Sequence, residues 1–313
     1  MSEKSAGFTK VVNVDLSPTS AWGIDQSEWP LRLLHVPSMT SVQSGPGHTY
    51  GCEQLSKQNL YPRYNILSYT WGRWRSNSER PVGIKGTTWK IPAVRPEHFT
   101  PKDFEQVLRL ISKDVDYVWV DVACINQGQS PQDVAEGMDQ VGKQVGIFSR
   151  ASQAYVWLNH LSKADLEKSL DGVIEPALGL GDELSNLQKA KHISVENEKS
   201  VCELLEGIRQ ASRSLCSDPW FSSLWTLQEA ALRRDAIILS REGSTLLAYD
   251  GKTLLSLAIV GNSYRNLLKD LKRYLARFQG TSMTLVKQAL LDLQEEVESN
   301  VLSFGLQQPQ CSV

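Results

Sequence analysis

The chain has 313 residues, with 33 Lys and Arg against 35 Asp and Glu, enough for a large buried core and more than one ordinary domain requires. The near balance of charge, without a basic block, argues against a nucleic-acid groove, and no run nears the roughly 18 apolar residues of a membrane span. The five cysteines (52, 124, 202, 216 and 311) lack CxxC spacing and His partners at zinc spacing, so neither a disulfide framework nor a metal site is expected, and reduced thiols fit a cytoplasmic setting.

The N-terminal MSEKSAGFTKVVNVD lacks an apolar core of signal-peptide length, and its VVNVD run is at most an edge segment. Leu31 to Val36 reads as a first strand stopped by Pro37, followed by a Ser, Gly and Pro rich loop through a solvated His48. Tyr64 to Tyr69 is a second strand running into Thr70, Trp71 and Gly72, where glycine permits a sharp turn beside two aromatics. GIKGTTWKIP (83–92) suggests a small hairpin. Thr100, Pro101 and Asp103 then form an N-cap, N1 and N3 set ahead of an apolar stripe of Phe104, Val107, Leu108 and Ile111, which predicts a helix.

Tyr117 to Val122 is an apolar, β-branched and aromatic run broken only by Asp121, the pattern of a strand covered on both faces and hence of a sheet centre. The following Ala123, Cys124, Asn126 and Gln127 stand where open α/β sheets gather ligand-binding groups. Two readings of Asp121 are open: a ligand-facing acid, or an anchor that accepts backbone N–H groups of its own loop. The capping device repeats at Ser130, Pro131 and Asp133, with Val134, Met138, Val141, Val145 and Phe148 as the apolar stripe, before a strand at Ala154 to Leu158. Strands alternating with helices across short connections predict an open, mainly parallel α/β sheet flanked by helices.

Residues 160 to 200 read as peripheral helices or an insertion, and Glu196 to Cys216 as a firmer helix that takes Cys202 and Cys216 into the core. Asp218 and Pro219 restart the chain as cap and N1 of a helix over WFSSLWTLQEAALRR, followed by a strand at 236–240. On that helix Phe221, Trp225 and Glu229 would form one ridge, with both aromatics in the core. Glu229 is either part of a site or the partner of Arg233 on a solvated face. Beyond Lys252 the stripe Leu267, Leu268, Leu271, Tyr274, Leu275 and Phe278 and the segment Leu285 to Leu302 predict two covering helices, and the QQPQCSV tail reads as disordered.

Three segments, YNILSYTWG (64–72), YVWVDVACINQ (117–127) with QVGKQVGIFSRASQAYVWL (140–158), and PWFSSLWTLQEA (219–230), resemble the three ordered blocks of the HET (heterokaryon incompatibility) domain of filamentous fungi. The resemblance implies a TIR-like, flavodoxin-like fold over 1–249 with a helical extension at 250–313. It also implies a role in self/non-self recognition, an innate-immunity type of defence ending in programmed cell death. TIR enzymes carry a Trp followed four residues later by the Glu that cleaves NAD, and Trp225 and Glu229 stand at that spacing. By this parallel Glu229 is the catalytic candidate and NAD the candidate substrate, with no prosthetic group. Tyr69, Trp71, Gly72, Asp121, Cys124, Asn126, Gln127 and Trp225 form the candidate binding set. A non-enzymatic module that assembles with itself or with other cell-death proteins is the alternative. The chain departs from the family at Ser223 and Gly137, where members commonly carry Arg.

Overall fold

A computed structural model of the chain describes residues 29–46, 49–51, 59–189, 195–278 and 283–304. The VVNVD run, His48, Cys52, Cys311 and the QQPQCSV tail lie outside the described residues. In chain order, β1 (Arg32–His35), β2 (Thr40–Gly45), β3 (Thr49–Tyr50), β4 (Asn59–Leu60) and β5 (Tyr64–Ser68) precede a small pair, β6 (Arg75–Ser76) and β7 (Ala93–Val94). Then come α1 (Pro101–Ile111), β8 (Tyr117–Trp119), α2 (Asp121–Cys124), α3 (Pro131–Gly142), α4 (Gln144–Arg150) and β9 (Gln153–Trp157). The last elements are α5 (Lys163–Lys189), α6 (Val195–Cys216), α7 (Leu224–Leu232), β10 (Ile237–Leu239), α8 (Leu257–Arg277) and α9 (Thr284–Ser303).

The main sheet has the order β10-β9-β5-β8-β1-β2-β3-β4. Its first four strands are parallel, as the alternation of helix and strand predicts. The expected first strand does join this sheet, but it lies antiparallel to β8 and pairs with β2, also antiparallel. The expected loop after Pro37 contains β2. Val36–Ser38 form one 3₁₀ turn, Met39 adopts the left-handed conformation (φ 49°), and the chain folds straight back. A run of apolar residues carries no direction, and here a four-residue reversal sets it. The expected hairpin at 83–92 is likewise absent. That stretch is bracketed by β6 and β7, and Trp89 donates from its indole nitrogen to the Val122 carbonyl (3.1 Å).

Both capping devices form. The Thr100 hydroxyl accepts from the Asp103 N–H and Asp103 returns a bond to the Thr100 N–H, and Ser130 and Asp133 do the same for α3. On α1 the stripe Phe104, Val107, Leu108 and Ile111 is buried, as its spacing requires. On α3 and α4 only part of it is: the helix breaks at Lys143, Phe148 is buried and Val141 partly so, but Val134, Met138 and Val145 are exposed while Gly137 and Gln140 face inward. Gly137 marks a close approach, because a Cβ there would stand 3.0 Å from the Asn126 carbonyl oxygen.

Helices α5, α6, α8 and α9 form a second layer with its own apolar interior, including Leu166, Val173, Leu205, Ile208, Leu271 and Leu290. A Cβ on Gly172 would meet the Ala211 methyl at 2.7 Å, so α5 and α6 touch there only because position 172 lacks a side chain.

Arg233 fastens the end of α7 to the end of α4. Its guanidinium forms a two-pronged pair with Asp235 (both 2.7 Å) and donates to the carbonyls of Phe148 and Ala151 (both 3.0 Å) at the end of α4. Arg233→Ala would leave those buried carbonyls without donors, so it should lower the free energy of unfolding by about 2–4 kcal/mol. Urea titration measures this, and a change below about 0.5 kcal/mol, the usual range for surface substitutions, would deny Arg233 that role.

Candidate active site

Parallel pairing of β5 with β8, in register Tyr64↔Tyr117 to Ile66↔Trp119, sends both strands out of the sheet on the same side. The winding of the chain reverses after β8, because the next strand, β9, lies on the far side of β5. Open α/β sheets gather ligand-binding groups outside the carboxyl ends of such strands. There a cleft of ≈ 710 Å³ opens, walled by the turn after β5 (Tyr69 to Arg75), the α2 loop (Asp121, Ile125 to Gln129), α3 (Val134, Gly137, Met138, Val141) and α7 with its approach (Ser223 to Trp225, Glu229).

Its floor is acidic. Asp121 opens α2, accepts from the Trp71 indole N–H through Oδ2 (2.6 Å) and from the Val122 N–H through Oδ1 (2.7 Å). Both sequence readings therefore hold together: the acid anchors its own loop and lines the cleft. Burial lifts its carboxyl above the ordinary value, against the pull of these hydrogen bonds. Glu229 accepts from Ser68 Oγ at Oε2 (2.5 Å), and Ser68 accepts from the Trp220 indole (2.8 Å). An indole N–H only donates, so Ser68 accepts from Trp220, and its own proton is free to go to Glu229 when that carboxyl is ionised. Burial pushes the Glu229 carboxyl up to about 8. The Ser68 hydrogen bond opposes that rise and the Asp121 charge adds to it.

The Tyr69 ring is buried against Phe99, Phe104 and Trp157. Its hydroxyl faces Asp121 and feels the charges of Asp121 and Glu229. Burial holds this phenol neutral, so it is a donor turned towards the acid in the floor of the cleft.

The sequence of the third block reads as one helix, and the structure breaks it. Pro219–Ser222 is a 3₁₀ turn, Ser223 is extended (φ −97°, ψ 129°), and α7 starts at Leu224. Phe221 is thus buried on a separate element, off the expected ridge. Trp225 and Glu229 keep their four-residue spacing and both line the cleft, but Trp225 is 56% exposed and is not core. Glu229 does not pair with Arg233, which is occupied elsewhere.

Gly72 lines the cleft with a negative φ and open space about its Cα, so its bend does not depend on glycine. Cys124 is fully buried, its thiol pushed up to about 12 by burial, and it does not reach the cleft. Asn126 and Gln127 line it. Asn126 nonetheless spends its amide on Asp133 (2.9 Å), Glu136 (3.3 Å) and the Gly128 N–H (2.9 Å), which fastens the loop to α3. Sequence reasoning missed Ser68, Trp220, Arg73 and Arg75. Ser68 was legible as the only serine in the buried strand YNILS.

The sequence model of the family described as "Heterokaryon incompatibility protein (HET)" matches residues 64–229. The chain belongs to the heterokaryon incompatibility family. No curated protein and no solved structure matches it. The matched span of this HET domain starts at the first residue of β5 and ends at Glu229, so it contains every residue that walls the cleft. Gly137 and Ser223 both stand in that wall. Among the described residues, no helix is long and apolar enough to cross a membrane.

Burial raises the Glu229 carboxyl above its unfolded value, so the folded chain holds this proton more tightly. Below 4.5 both states are protonated, and between 4.5 and about 8 only the unfolded chain ionises. Stability should therefore fall as pH rises through that window. Glu229→Gln cannot ionise, and should exceed the parent by about 1–3 kcal/mol at pH 8 while matching it near pH 4.5. Urea midpoints at both pH values decide this, and parallel losses in the two proteins would place Glu229 in water.

Proposed function

We propose that this HET domain cleaves NAD to nicotinamide and ADP-ribose in the cleft at the ends of β5 and β8. The observation that carries the reading is the meeting of Asp121 and Glu229, distant in sequence, in one cleft with Tyr69, Trp71 and Trp225. Nicotinamide leaves a ribosyl cation with the electron pair of the broken C1′–N bond, so a charged ring becomes a neutral leaving group and no general acid is required. A carboxylate beside C1′ stabilises the oxocarbenium-like centre, and attack by water releases one proton. Glu229 is the group assigned to C1′. Asp121 and the Tyr69 hydroxyl beside it would hold polar edges of the nicotinamide riboside, and the exposed face of Trp225 would stack on a planar ring. The four-residue spacing of Trp225 and Glu229 agrees with the TIR-like reading of the fold.

The empty cleft holds Glu229 partly protonated at neutral pH. A cationic ring entering beside it favours the ionised form, so the substrate brings the carboxylate into its working state. A second reading, a non-enzymatic assembly module in cell-death signalling, draws on the exposed apolar residues Val134, Met138, Leu224 and Trp225 along one side of the cleft.

The test is incubation of the purified chain with NAD at high protein concentration while nicotinamide release is followed. Release should occur, with kcat/KM rising with pH up to about 8 as free Glu229 ionises. Glu229→Gln should lower kcat by roughly 100-fold or more, the scale of losing one transition-state electrostatic group. If neither protein consumes NAD and both kill cells equally, the assembly reading takes its place.

A further inference from the structure

The charged residues among those that wall the cleft are four, and they are segregated. Asp121 and Glu229 are partly buried in the floor, while Arg73 and Arg75 stand exposed at the rim on the single turn that follows β5. Exposed arginines usually find carboxylates. Among the described residues neither of these forms an ion pair, and each is held by something else. Arg75 lies over the Trp71 ring, 4.7 Å from its centroid, and that indole is itself locked to Asp121. Arg73 donates through one nitrogen to the Ser222 carbonyl (2.9 Å), across the cleft mouth. Each guanidinium carries five N–H donors, so most of the donors at this rim remain unspent on groups whose positions are already set. A ligand that matches the whole cleft must therefore be cationic or neutral and planar at its inner end, and anionic where it leaves.

We propose that Arg73 and Arg75 form a diphosphate-binding rim, so that a pyridine dinucleotide enters with its cationic ring towards Asp121 and Glu229 and its diphosphate on the two guanidinium groups. This deepens the reading of the cleft as an NAD site and rests on it for the identity of the inner group. The rim acts twice. It contributes charge-assisted hydrogen bonds to the phosphates, and it fixes polarity, since the reversed orientation would set phosphate against two acids. Arg75 also connects the two ends, because the indole it stacks on holds the floor acid. Ser223, between the 3₁₀ turn and α7 in the same wall, gives this rim no third cation.

Calorimetric titration of the full chain with carba-NAD, whose furanose oxygen is replaced by a methylene so that it keeps its charges but resists cleavage, and with ADP-ribose, tests the rim. A parallel NMR titration uses 1-methylnicotinamide, a cation without phosphate. The Arg73→Gln/Arg75→Gln double variant should bind carba-NAD and ADP-ribose about 10-fold or more weakly, the scale of losing charged hydrogen bonds. Its 1-methylnicotinamide affinity should not fall, because losing two cations does not weaken the binding of a cation, and its urea midpoint should move only slightly, by the loss of the stacking on Trp71 and the bond to Ser222. Arg73→Lys/Arg75→Lys, which keeps the charges, should recover part of the loss. Unchanged affinity for both phosphate ligands in the Gln variant, no binding of either by the parent, or an equal loss for 1-methylnicotinamide would overturn the proposal. Hydrolysis is judged separately: arginine-dependent ADP-ribose binding in a chain that releases no nicotinamide would keep the rim and remove only the hydrolase reading.

Discussion

The site depends on one pairing, the parallel contact of β5 with β8. Because both strands exit on the same side, the turn carrying Tyr69, Trp71, Arg73 and Arg75 emerges beside the turn carrying Asp121. The Trp71 indole N–H then joins the two turns by donating to Asp121. An antiparallel pairing would send one of these turns to the opposite edge and leave no cleft. The rest of the sheet supports this contact: β9 and β10 continue the parallel block on one side, and the antiparallel β1–β4 segment closes the other.

Two acids in the floor of one cleft are costly unless the surroundings divide the charge between them. Asp121 receives an indole and a backbone N–H, whereas Glu229 receives a single serine proton and sits near the Asp121 charge. The environment thus supports charge on Asp121 with more hydrogen bonds than it gives Glu229. That division is a property of the strand ends and of the Trp220 anchor. It makes Glu229 the group whose ionisation responds most to what enters. The rim arginines keep most of their donors free of protein partners, Arg73 giving one to the Ser222 carbonyl and Arg75 lying over Trp71.

Much of this was legible in the sequence, for identifiable reasons. Capping boxes are local chemistry, so Thr100 to Asp103 and Ser130 to Asp133 read correctly, and a doubly covered strand announces itself, as Tyr117 to Val122 did, although the strand ends at Trp119 and Asp121 and Val122 open α2. Three features were not legible. The direction of β1 is set by the reversal at Val36 to Met39, where no glycine or proline occupies the left-handed position. The stripe Val134, Met138, Val145 has helical spacing, but periodicity cannot say whether an apolar face meets a core or an open cleft. The break at Ser223 lies between two good helix segments, and the fold imposes it by burying Trp220 and turning Thr226 back onto the Trp220 and Ser223 carbonyls. The same break leaves Trp225 exposed on the cleft wall rather than in the core.

The claim at the centre of this account is that Glu229 sits in a water-poor cleft that receives a cationic ring. Its ionisation can be followed directly by ¹³C NMR of the side-chain carboxyl carbons, with the signal assigned by its loss in Glu229→Gln. In the free protein the carboxyl should titrate near 8, and saturation with uncleavable carba-NAD should lower that midpoint by roughly one unit or more. A carboxyl that titrates near 4.5, and does not move when carba-NAD is added, would contradict both the burial of Glu229 and its place in the site.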